Sequence, residues 1–206
     1  MAEKSQDILN GLIKLQRNYS FTYRAIVTEE RYKNIVKSGL LKKVDFTENA
    51  LRETLIEHVG NLPIVAAYLH QFIENKDKVD LGKTLAILSV HDIGETEVGD
   101  MFCFAKTKAH AKDEEVAAKK LLPSYQFKLF EEYERGDSLE AKFARAVDKI
   151  APLIHEIMLP DVTAERFKIY NYDTNKIIEK RIKYFEWDRV LKGLFECVVE
   201  EFRKIG

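Results

Sequence analysis

HDIGETEVGD, residues His91 to Asp100, sets one imidazole and four carboxylates (His91, Asp92, Glu95, Glu97 and Asp100) within a single short stretch. A surface helix would scatter lysines among such acids. The run just before it, LGKTLAILSV from Leu81 to Val90, is largely apolar with helical character, so the polar group arrives at the buried end of a core helix. Charges in that position need a partner, because an isolated buried charge costs far more than folding can supply. A divalent cation answers that need, and the stretch reads as a metal and acid/base site.

The rest of the composition agrees with a helical, globular chain. At 206 residues the sequence is long enough to bury a real core and suits one domain. Only 4 Pro and 9 Gly argue for long helices over many short strands, which makes all-α the expected class. Lys plus Arg number 33 against 34 for Asp plus Glu, so there is no global basic field to gather nucleic acid. Cys103 and Cys197 lie far apart and fit reduced core thiols better than a disulfide framework or a thiolate zinc site. The opening MAEKSQDILNGL has no apolar export core, and no later stretch approaches the ~18 apolar residues of a membrane span. A cytoplasmic protein is the expectation.

Outward from the acidic stretch, helical periodicity with stop signals recurs along the chain. Helices are expected near Asp7–Arg17 and Glu29–Lys37, then from a capping box at Thr54 and Glu57 through His58 toward Ile73, with Pro63 as a kink. Asp80 can cap the helix running into His91. The segment MFCFAKTKAHAKD reads as a loop over the site, followed by helices near Glu114–Leu122 and Ser124–Glu134. A long helix, LEAKFARAVDKIAPLIHEIM, begins after Ser138 with Leu139, Phe143, Ala146, Val147, Ile150 and Ile154 on one stripe and Asp148 on or beside it. Two more helices are expected from Asp161 onward. The last presents Val190, Leu194, Val198 and Phe202, a face broad enough to predict a homodimer.

Adjacent helical residues point about 100° apart, so His91 and Asp92 can share an ion only if it sits against the helix end and other helices complete the set. His58, in RETLIEHVG, and Asp148, in FARAVDKI, are the candidates, each a polar residue in an otherwise apolar helical face. A lone His58 would ordinarily be a core histidine, and Asp148 with Lys149 could be a surface ion pair. Two imidazoles and two carboxylates without thiolate suit one divalent transition metal, Mn, Co, Fe, Ni or Zn, better than Mg.

The order His58, His91-Asp92, Asp148 resembles the H…HD…D signature of the HD-domain metal-dependent phosphohydrolases, over about Leu40 to Ile157. More narrowly, RETLIEH is similar to the Arg-x-Glu-Ser-x-x-Glu-His of the 5′-deoxynucleotidase branch, HDIGETEVGD to its His-Asp-x-x-Glu-x-x-x-Gly-Asp, and KDEEVAAKKLL to its Glu-containing helix. The resemblance implies an HD-domain helical bundle, core about 40–157, with helical extensions at both ends of a single domain spanning 1–206. It implies one metal ion on His58, His91, Asp92 and Asp148, with Glu95 as general acid/base and Asp100 near the sugar and attacking water. It also places Arg52 on the substrate phosphate, with Glu115 as an acid that could support the ligands. Where the branch carries an Arg and a Trp in the preceding loop, this chain has KKVDFTEN, so phosphate recognition there falls to Lys42, Lys43 or Lys106. The expected activity is hydrolysis of (deoxy)nucleoside 5′-monophosphates. The alternatives are another HD-domain phosphohydrolase or phosphodiesterase, or a non-catalytic metal-binding oligomer.

Overall fold

The computed structural model describes residues 2–21, 55–99, 106–158, 160–169 and 171–205, all helix, turn or loop with no strand among them. The helices are α1 (Ala2–Phe21), α2 (Leu55–His70), α3 (Leu81–Leu88), a short α4 (Glu95–Val98), α5 (Lys108–Leu121), α6 (Ser124–Arg135), α7 (Leu139–Met158), α8 (Pro160–Ile169), α9 (Thr174–Arg181) and α10 (Arg189–Ile205). Single 3-10 turns at Lys76–Lys78 and Ile182–Tyr184 complete the described chain. The all-α expectation holds.

Helix α7 is the axis of the bundle. It packs against α1, α2, α3, α6, α8 and α10, and the stripe read from its sequence is the buried one: Phe143, Ala146, Val147, Ile150 and Ile154 are inaccessible to solvent. Ser138 accepts the Ala141 amide at 3.1 Å and starts it. Around this axis α2 lays Leu62, Val65, Ala66 and Leu69 into the core, and α3 adds Ile87 and Leu88. Asp80 caps α3 as expected, its carboxylate accepting from the Lys83 amide at 3.0 Å. Lys83 in turn reaches Glu132 of α6 at 2.7 Å, tying the helix that leads into the acidic stretch to α6.

Two expectations change. The segment read as a loop over the site becomes helical early: Thr107 caps α5 by accepting the His110 amide at 3.3 Å, so everything from Lys108 is helix. Lys and Ala dominate its described part, and good helix formers do not need an apolar period to be helical once capped. The C-terminal face offered as a dimer surface is interior instead. Leu194, Val198 and Phe202 are fully buried, because α10 packs on α1 and α7 within the same chain. That leaves the dimer without the surface that suggested it. Helix α2 runs from Leu55 to His70 with Pro63 inside it, as the helix expected through His58 requires. The helix expected at Glu29–Lys37, the capping residue Thr54 and Cys103 lie outside the described residues; Cys197 is a half-buried free thiol. Among the described residues no helix is long and apolar enough to cross a membrane.

Candidate metal centre and acid/base site

Three elements converge on one point. His58 lies one turn into α2, Asp148 sits at the middle of α7, and His91 and Asp92 occupy the turn that follows α3. The chain leaves α-helical geometry just before the pair: Val90 bonds to the Ile87 carbonyl at 3.2 Å and Ile93 to Val90 at 3.2 Å, a tighter i to i−3 pattern that continues with Glu95 to Asp92 at 3.0 Å. His91 and Asp92 are thereby presented past the end of α3. Glu95 opens α4 rather than lying one turn along a continuous helix from His91.

The four side chains offer ligand atoms that all lie within 4.8 Å of one another. His91 Nε2 is 3.0 Å from Asp92 Oδ2 and 3.5 Å from Asp148 Oδ1, while His58 Nε2 is 3.2 Å from Asp148 Oδ1 and 3.5 Å from Asp92 Oδ2. The His91 Nδ1–H donates to the Leu88 carbonyl at 2.8 Å. That bond fixes the ring orientation and turns Nε2 toward the carboxylates. The same nitrogen is buried and aligned for a hydrogen bond with nothing. A buried polar atom left so is rare in folded proteins, and a cation shared with three neighbouring ligands satisfies it. The residues therefore fit a divalent metal. Without one, burial opposes charge on His91, but the negative charges of Asp92 and Asp148 outweigh it and hold the imidazole up to about 10.

Asp148 is oriented by its outer oxygen. The Tyr133 phenol donates to Oδ2 and the Lys149 ammonium reaches it at 2.5 Å, leaving Oδ1 toward the two imidazoles. Burial opposes ionisation of Asp148, yet Lys149 and the two histidines keep its carboxyl well below the usual range. Burial and the Asp148 charge push the Tyr133 phenol well above its ordinary value, so it acts only as a donor. The surface-pair alternative for Asp148 is thus half right: the pair with Lys149 forms, but the aspartate is only 4% exposed.

Glu95 follows the cluster in the chain, its backbone N–H bonded to the Asp92 carbonyl at 3.0 Å; its side chain is mostly covered and lies 3.8 Å from the Lys106 ammonium, which is itself held by Glu114 at 2.6 Å. Burial tends to strip charge from Lys106, but Glu114 and Glu95 raise its affinity for the proton and it remains an ammonium. Lys106 thus joins the site through Glu95. The buried acid on α5 is Glu114, whereas Glu115 faces solvent. The signal was in the sequence, since Glu114, Ala117 and Ala118 share one helical face. Gly94 permits the close approach of α5: a Cβ there would meet the Glu114 carbonyl oxygen at 2.4 Å. Glu97 pairs loosely with Lys120 at the surface. His70 bonds to the Val79 carbonyl at 3.0 Å and His110 to Thr107 at 2.8 Å, both remote from the cluster in role. Tyr133 and Lys149 were not foreseen as parts of the site. Arg52, Asp100, Lys42 and Lys43 lie outside the described residues.

A family model described as HD domain matches residues 40–186. The chain belongs to the HD-domain family. The match extends beyond the expected core into α8 and α9 and includes the whole ligand set. Among solved structures, a predicted metal-dependent phosphohydrolase from Magnetospirillum magnetotacticum MS-1 is similar to this HD domain with a TM-score of 0.63 and 24% identity, over 84% of this chain and 97% of the other. At that identity the likeness is one of fold. No curated protein matches.

Proposed function

We propose that this HD domain is a metal-dependent phosphohydrolase acting on (deoxy)nucleoside 5′-monophosphates, releasing nucleoside and phosphate. The observation that carries the metal-dependent part is the buried His91 Nε2, without an aligned hydrogen bond, gathered with His58, Asp92 and Asp148. HD-domain membership and the fold shared with a protein described as a predicted metal-dependent phosphohydrolase support the hydrolytic part. The nucleotide rests on the resemblance of RETLIEH and HDIGETEVGD to the 5′-deoxynucleotidase motifs.

His58, His91, Asp92 and Asp148 would hold one Mn, Co, Fe, Ni or Zn ion, which when bound supplies Lewis-acid polarisation and an acidified water. The remaining work falls to the chain. Glu95, largely covered and three residues after the ligand candidate Asp92, is the group assigned to take and return a proton at the reacting oxygen. Lys106, held by Glu114 at 2.6 Å and 3.8 Å from Glu95, is the cation assigned to the substrate phosphate in this reading. Arg52, a planar donor fork, suits the phosphate oxygens, and Asp100 the sugar side. The test is turnover of metal-reconstituted protein against a panel of ribo- and deoxyribonucleoside 5′-monophosphates beside 3′-monophosphates and phosphodiesters. Preferential phosphate release from the 5′-monophosphates is expected; turnover confined to diesters would replace this reading with a phosphodiesterase.

A further inference from the structure

We propose that Tyr133 is a positioning residue of the metal centre: its phenol engages one oxygen of Asp148, and so keeps the other aimed at the two imidazoles. The proposal rests on reading His58, His91, Asp92 and Asp148 as a metal site. Tyr133 lies near the end of α6, 5% exposed, and touches two members of that set at once. Its hydroxyl donates to Asp148 Oδ2, and its ring packs on His91 with centroids 4.8 Å apart and planes tilted by 55°. A carboxylate free to rotate can approach a cation through either oxygen or both; one bonded through Oδ2 presents Oδ1.

Tyr133 is itself fixed. The Arg145 guanidinium stands 5.7 Å from its ring centroid. One residue earlier in register, Glu132 anchors α6 through Lys83 at 2.7 Å and the Ser138 hydroxyl at 2.5 Å. Lys149 also reaches Oδ2, but from a flexible side chain whose ammonium carries no plane to orient the carboxylate. The phenol is held in place by the packing of its ring on His91, and removing its bond leaves a buried acceptor short of a donor. Neighbours that orient ligands in this way typically contribute about 10–100-fold to metal affinity.

The experiment compares wild type, Tyr133→Phe and Lys149→Met, each stripped of metal and titrated with Co(II) against a chelator, with the visible absorption of the bound ion read on the same samples. Tyr133→Phe keeps the ring on His91 and removes one O–H. A dissociation constant weaker by about 10–100-fold, an altered Co(II) band pattern and a smaller loss for Lys149→Met would support the inference. Tyr133→Phe binding Co(II) as tightly as wild type with an unchanged spectrum would overturn it, as would the whole loss falling on Lys149→Met. Wild-type protein that fails to take up Co(II) would instead overturn the metal-centre reading, and this inference with it. Circular dichroism melts on the metal-free variants separate a local effect from unfolding: matching melts with weakened binding support positioning, and a collapsed fold in Tyr133→Phe assigns Tyr133 to packing.

Discussion

Asp148→Asn should separate folding from metal binding in one measurement. The substitution keeps size and shape at a side chain that is only 6% exposed, and removes the charge from the oxygen 3.2 Å from His58 and 3.5 Å from His91. In the metal-free protein the cost is modest. Removing one partner of a buried pair can cost about 3–5 kcal/mol, but the Lys149 side chain is one-third exposed and can return its ammonium to water. A loss of about 1–3 kcal/mol is therefore expected, the desolvation cost of imperfectly paired groups. The larger effect is on linkage. A ligand at a hundred times its dissociation constant stabilises the native state by about 2.7 kcal/mol, which for a chain of this size is a rise in Tm of about 5–10 °C. Wild type should show that rise on addition of Mn(II) or Co(II), and Asp148→Asn should show little of it at the same concentration. Differential scanning calorimetry on metal-free samples with and without metal gives both numbers. An equal metal-induced rise in the two proteins would remove Asp148 from the ligand set and refute the argument from its geometry.

Glu95→Gln should retain metal but lose about 10²–10⁴ in kcat against the best nucleoside monophosphate, the usual contribution of a positioned acid/base; wild-type turnover in the metal-loaded variant would dismiss that role. Metal affinity should rise with pH. Because the metal-free site holds the His91 proton up to about 10, well above its ordinary 6.5, the ion must displace that proton across this window. The apparent dissociation constant should tighten by up to about tenfold per pH unit between 7 and 9. The same upward shift means that His91 stabilises the metal-free fold fully below pH 6.5, and that this stabilisation fades as the pH approaches 10. A pH-independent constant over that range would contradict this. Gly94→Ala should destabilise the protein by about 1–3 kcal/mol and depress activity, because the new methyl meets the Glu114 backbone rather than a movable side chain; urea melts indistinguishable from wild type would refute the close approach of α5 to the turn.

The sequence alone determined the helical class, the stripe of α7 and the four residues that the fold gathers into one His/Asp cluster. Periodicity reports which residues a helix must bury, and Asp148 could be recognised because a carboxylate within Val147 and Ile150 violates that pattern unless something compensates it. The same reasoning brought out His58 and the His91-Asp92 pair. It could not say which neighbours would support them. Tyr133 reads as one more apolar position on the α6 stripe beside Leu129 and Phe130, and only the packing of α6 on α7 turns its hydroxyl onto Asp148. Glu114 and Glu115 look alike in a charge run; the fold buries one against Lys106 and leaves its neighbour in water. The apolar face of α10 was legible as a surface needing cover, but not as one covered by α1 and α7 of the same chain. Local sequence fixes what each helix must hide or satisfy, because periodicity is a property of one helix. What it meets there depends on contacts between residues distant in the chain, and those only tertiary packing decides.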